Sequence, residues 1–169
     1  MWNMKKGLVC ILVALLALTA FTESEKRITV FMIGDSTMAN KSITGGKPER
    51  GWGHVLGGFF TEDIIVDNHA VNGRSSKSFI DEGRWDKVLS RIKPGDYVVI
   101  QFGHNDEKPK ADRHTDPGTT FDANLERFVN ESRERGATPI LMNAIVRRNF
   151  IAPKDPTVSE DARPDASKS

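Results

Sequence analysis

Three short polar clusters in this chain combine residue types that acyl-transfer chemistry uses. They are Gly34-Asp35-Ser36, Asn72-Gly73-Arg74-Ser75-Ser76 and Gly103-His104-Asn105-Asp106. Ser36 supplies a hydroxyl, which becomes a nucleophile when a neighbouring group accepts its proton. Gly73 supplies a backbone N–H that a ligand can approach closely, and Asn105 supplies an amide side chain. Such donors, aimed at charge developing on a carbonyl oxygen, are the parts of an oxyanion hole. Each cluster also has an ordinary use. A serine in this position can sit in a turn or cap a helix, Asn-Gly is a common turn, and Asn105-Asp106 can cap a helix. Position strengthens the chemical reading, because each cluster closes an apolar run.

The run at 28–33 is β-branched and apolar and stops at Gly34, which reads as a buried strand ending in a tight turn. A second strand is expected at 64–70, a third at 97–102 and a fourth at 139–146. Runs this apolar suit strands covered on both faces, as in a parallel sheet. Helices are expected between them. The stretch 52–60 is short and weakened by Gly57 and Gly58; 84–92 groups Trp85, Val88, Leu89 and Ile92; 119–135 groups Phe121, Leu125, Phe128 and Val129. The alternation predicts an α/β sandwich around a parallel sheet, with no internal repeat and no second domain. In such a sheet ligands bind outside the carboxyl ends of the strands, where the three clusters would gather.

Lys5 and Lys6 precede an apolar run from Gly7 to Ala20, and polar residues follow. This predicts a secretory signal peptide over residues 1–22, cleaved near Ala20, and hence a secreted or periplasmic protein. The run is short for a membrane span. Losing Lys5 and Lys6 turns 24 basic residues into 22, against 23 acidic ones, for a mature net charge of −1. That balance argues for neither nucleic acid nor a membrane surface as partner. Cys10 is the only cysteine and would leave with the signal, so no disulfide or cysteine metal site can form within the mature chain. Residues 152–169 are rich in proline, charged and small residues and are expected to be a disordered tail, leaving a folded part over 26–151.

The wording of these segments resembles the SGNH (GDSL-type) hydrolases, and within them the rhamnogalacturonan acetylesterase branch. The resemblance rests on IGDSTMANK, ERGWGHVL, NHAVNGRSSKSFIDEGRW, IQFGHNDEK and VRRNF, in that order, between residues 28 and 150. It implies a flavodoxin-like three-layer α/β/α fold and removal of acetyl groups from pectic polysaccharide, with no cofactor. Carried over by motif, Ser36 is the nucleophile and, through its own N–H, an oxyanion donor. Gly73 is the second donor and Asn105 the third. Arg74 and His104, inside the matching blocks, become candidates for substrate contact. Lys77, Arg84, Arg147 and Arg148 could also attract a galacturonate backbone, or be plain solvated surface.

One departure matters more than these matches. The family completes its triad with an Asp-x-x-His motif, and none of His54, His69, His104 and His114 has an aspartate three positions before it. The expectation is a C-terminally truncated or frameshifted member with impaired catalysis. His104 could substitute as the base only if it lies within hydrogen-bond reach of Ser36. A metal site from His104, Asp106, Asp112 and His114 fits no familiar ligand spacing. The competing function is a non-catalytic remnant that binds acidic or acetylated polysaccharide weakly. A nucleotide-binding role is disfavoured, because no Gly-rich phosphate loop follows the first strand.

Overall fold

The computed structural model describes residues 27–46 and 48–146. Its organising element is β1 (Ile28–Gly34), whose apolar side chains alternate between two faces and are buried from Val30 onward. β2 (Ile64–Asn68) lies on one side of β1 and β3 (Tyr97–Gln101) on the other, with β4 (Thr138–Leu141) beyond β3. All three pairings are parallel; Met32 stands level with Asn68 and Val99, and Ile100 with Leu141. The helices are α1 (Trp52–Val55), running into a 3-10 turn at Leu56–Phe59, then α2 (Ser76–Asp81), α3 (Arg84–Leu89) and α4 (Thr120–Glu134).

The period-two alternation of the strands divides the core in two. Phe31, Ile33, Val98 and Ile100 face Phe79 of α2, Trp85 and Val88 of α3, and Phe128 of α4. Phe128 is the hub there, with ring centroids 5.0 Å from Trp85 and 5.6 Å from Phe102. On the opposite face Val30, Met32 and Val99 pack with Met38, Ala39 and Ala70, under Trp52 and Leu56. The result is the three-layer α/β/α arrangement around a parallel sheet that the alternation of elements predicts.

Several details differ from the sequence expectation, each for a local reason. The expected helix at 52–60 is one α turn followed by a 3-10 turn, because Gly57 and Gly58 give the second half little helical preference. Helix α2 was not expected; it is started by a reciprocal pair in which Ser75 Oγ accepts from Ser78 N and Ser78 Oγ accepts from Ser75 N. The expected coverage on both faces holds for the central strands β1 and β3. β2 and β4 flank them, and Ile65, Ile140 and Leu141 are exposed. The fourth strand is shorter than 139–146, its last rung being Met142 N to Ile100 O at 2.9 Å. The expected signal peptide, the tail, Cys10, Arg147 and Arg148 lie outside the described residues. Among the described residues no helix is long and apolar enough to cross a membrane.

Two outcomes test this packing. Phe128→Ala removes the shared ring of the larger cluster and should cost about 3–5 kcal/mol in urea denaturation. Ile140, Leu141 and Met142 leave apolar surface at β4, so the native chain should bind a hydrophobic dye, and Leu141→Lys should reduce that binding.

Candidate active site

The exits of β1 and β3 approach very closely. A Cβ on Gly34 would stand 2.7 Å from the carbonyl oxygen of Gln101, a contact no side chain tolerates, so glycine is required there. The next residue, Asp35, is buried and braces the turn. Its Oδ1 accepts from Thr37 N and Thr37 Oγ1, both at 2.8 Å, and its carbonyl accepts from Ala39 N at 3.0 Å. Gln101 supports the same turn from β3, accepting from Trp52 Nε1 at 2.7 Å and donating to Asn143 O at 2.9 Å. Ser36 therefore sits, half-buried, on a turn held from below by two strands and α1.

The second cluster is tied to the first by Val71 N, which donates to Gly34 O at 3.0 Å. Gly73 follows with φ of 75°, a left-handed conformation that glycine adopts without strain. The third cluster reaches the second through Asn105, whose Nδ2 donates to Arg74 O at 3.0 Å. Lys108 Nζ donates to Asn105 Oδ1 at 2.8 Å. These two contacts fix which end of the amide is nitrogen and leave its second N–H without a partner among the described residues. The backbone N–H groups of Ser36 and Gly73 likewise enter no hydrogen bond among the described residues. The three clusters thus meet at the carboxyl edge of the sheet with three unused donors.

Comparison with known proteins agrees with this architecture. Residues 32–168 match the GDSL-like Lipase/Acylhydrolase family. The chain belongs to that family. It is 44% identical over 126 residues to rhamnogalacturonan acetylesterase RhgT of Bacillus subtilis, covering 75% of this chain and 53% of that protein. It is 38% identical over 122 residues to the probable rhamnogalacturonan acetylesterase YesY of the same organism, covering 72% and 55%. The chain spans about half the length of these curated relatives. The crystal structure of YxiM from Bacillus subtilis superposes with a TM-score of 0.66 at 28% identity, over 75% of this chain and 35% of that one.

The histidines of this GDSL-family chain are placed as follows. His104 is buried at 3% exposure, with Nε2 2.6 Å from Ile145 O and Nδ1 3.9 Å from Asp35 Oδ2. A carbonyl only accepts, so Nε2 carries the proton, and the other nitrogen faces Asp35. This ring clasps the exits of β1, β3 and β4 together; it has little surface for a sugar. His54 Nδ1 accepts from Lys41 N, His69 shares contacts with Asp67 and Arg91, and His114 lies beside Asp116. No hydrogen bond joins any of the four to Ser36. Among the described residues no group of His, Cys, Asp and Glu is arranged to hold a metal.

The cationic candidates are mostly paired. Arg74 and Arg84 share Glu82, and Lys77 pairs with Asp81. Hydrogen bonding from Arg84, then from Arg74, holds the Glu82 carboxyl below its usual range. A cleft of about 930 Å³ lies toward the opposite strand ends near Arg27, Thr29 and Asp96, and none of the three clusters lines it.

Sequence reasoning underrated Asp106. Its Oδ1 accepts from Ser76 N at 2.9 Å, Ser76 Oγ at 2.5 Å and Thr115 Oγ1 at 3.1 Å; its Oδ2 accepts from Gly103 N at 3.1 Å. The signal was present as an aspartate closing the third cluster, but its partners lie far along the chain. Burial pushes its pKa above the ordinary 3.8, against the opposing pull of these donors. The folded state then keeps the proton over an interval where the unfolded chain has released it. Asp106's contribution to stability is therefore greatest below 3.8 and falls as pH rises through the raised value. Asp106→Asn removes that titration and turns an amide N–H toward a donor, costing about 1–3 kcal/mol. In urea midpoints measured from acid to neutral pH, the stability advantage of the native chain over Asp106→Asn should shrink as pH rises.

Proposed function

We propose that this chain carries the nucleophile and oxyanion half of a carbohydrate O-acetylesterase acting on acetylated pectic polysaccharide of the rhamnogalacturonan type. The supporting observation is the set of three unused N–H donors, from Ser36, Gly73 and Asn105, on the edge that also bears the Ser36 hydroxyl. In this reading Ser36 Oγ attacks the acetyl carbonyl carbon, and its proton passes to a general base. The carbonyl oxygen, gaining negative charge in the tetrahedral intermediate, is met by the three donors. Collapse breaks the bond to the sugar oxygen, which takes up the proton that left Ser36 and departs as a hydroxyl, and leaves an acetyl-serine that water then hydrolyses. The substrate class is inferred from the relatives RhgT and YesY, a rhamnogalacturonan acetylesterase and a probable one.

A second reading has its own observation. None of the four histidines bonds to Ser36, and His104 has its nitrogens directed to Asp35 and Ile145. Without a base Ser36 is a weak nucleophile near neutral pH. The chain by itself would then bind acidic or acetylated polysaccharide without turning it over efficiently. We place it in a secreted or periplasmic setting, on the strength of the N-terminal basic-then-apolar pattern.

Hydrolysis of p-nitrophenyl acetate separates the two. In serine hydrolases lacking a triad member, the oxyanion hole and binding still leave about 10³–10⁴-fold catalysis over water. An intact triad adds far more, with losses on the order of 10⁶ in kcat when it is broken. The unfused chain should act barely above background, and Ser36→Ala should change it little. Fusing the remaining C-terminal part of RhgT, chosen to include an Asp-x-x-His, should restore turnover that Ser36→Ala abolishes. Brisk hydrolysis by the unfused chain, lost in Ser36→Ala, would show that another base serves Ser36.

A further inference from the structure

We propose that Arg113 is a specificity-determining residue that reads a carboxylate on the sugar carrying the ester. The inference rests on the carbohydrate-esterase reading and deepens it. Arg113 lies on the long connection between β3 and α4, which the third cluster straps down: Thr115 N donates to Asp106 O at 3.0 Å and Thr115 Oγ1 to Asp106 Oδ1 at 3.1 Å. Asp112 engages one side of the guanidinium, at 3.3 Å from Nε and 2.8 Å from Nη2. The remaining nitrogen, Nη1, has no partner among the described residues and stands 3.7 Å from where a Cβ on Gly73 would be. A guanidinium held on one edge and open on the other presents fixed donors, which an ammonium on a flexible stem does not.

Arg113 and Gly73 line one cleft of about 310 Å³, together with Arg74, Glu82 and Asp112. Gly73 is thus both a proposed oxyanion donor and part of the cleft wall, so an ester carbonyl on its N–H has the cleft directly beside it. The charges there do not cancel. The wall itself holds Arg74 and Arg113 against Asp81, Glu82 and Asp112, and the excess comes from cations outside it: Arg84 shares Glu82 with Arg74, which with Arg113 on Asp112 makes three guanidiniums against two carboxylates. The other carboxylate in the wall, Asp81, is paired with Lys77. A neutral sugar has no use for the excess cation; a uronate has one. Charge-assisted hydrogen bonding from a guanidinium to a carboxylate is the stronger kind and favours the acid over its ester.

The test is binding of trigalacturonate and of its methyl ester, measured by calorimetry on the intact chain, with no turnover required. The native chain should prefer the acid. Arg113→Gln should weaken the acid about tenfold and leave the methyl ester unchanged, so that the preference collapses. Arg113→Lys, which keeps the charge without the fork, should retain part of it. Equal weakening of both ligands by Arg113→Gln would reduce the residue to a loop support and overturn the proposal. So would a native chain that binds neither probe, or both alike. The esterase reading fails separately. Acid-selective binding with no Ser36-dependent hydrolysis in the RhgT fusion sinks that reading alone, and hydrolysis by the fusion without acid preference sinks Arg113 alone.

Discussion

A buried carboxylate in this fold must be met by donors, and Asp106 is met by four. Through them it joins pieces that the chain presents far apart: Gly103 at the exit of β3, Ser76 at the start of α2, and Thr115 in the connection to α4. Asn124 of α4 extends the linkage, donating to Ser76 Oγ at 3.0 Å. Taking a carboxylate out of water is costly unless its lone pairs are used, so these partners cannot drift without leaving charge or polar groups exposed to an apolar interior. Asn105, one residue earlier, inherits its position from this constraint.

The same division of labour recurs along the sheet edge. Acids and amides beneath the surface are engaged: Asp35 by Thr37, Gln101 by Trp52 and Asn143, Asp106 by its four donors. The backbone N–H groups of Ser36 and Gly73 and the second amide N–H of Asn105 are left free among the described residues. An electrostatic site works by having its donors already oriented when charge develops, so that nothing has to reorganise. Here the orientation comes from buried residues beneath the edge: Asp35, Gln101 and Asp106. His104 belongs with that supporting set, bridging Asp35 and Ile145 from a buried position.

How much of this was legible in the sequence follows from the range of each interaction. The strands and their order of polar turns could be read because apolar runs and glycine stops are local signals. Ser36, Gly73 and Asn105 could be placed on one edge because parallel topology puts consecutive strand ends together. Helix α2 was missed because its start is a Ser75–Ser78 exchange rather than the usual glutamate-based box. The exposure of β2 and β4 was missed because an apolar run reads the same in a central and a flanking strand. Arg113 carries no sequence signal at all. It matters only because a loop strapped at Thr115 brings it beside Gly73, some forty residues earlier in the chain.

The register of β1 has a consequence for the order of assembly. Its partners are β2 and β3, with Ile28 level with Ile64 and Val30 level with Tyr97. During synthesis Ser36 emerges before either flanking strand exists to hold its turn: β2 is made about thirty residues later, and Gln101 and Asn105 about seventy. Pairings between distant segments form slowly, because the intervening chain must first be closed into a loop. Until β3 is made the apolar strand 28–34 has at most one of its two neighbours, β2. The residues that place the nucleophile are thus also the ones whose arrival ends the nascent chain's exposure to other partners.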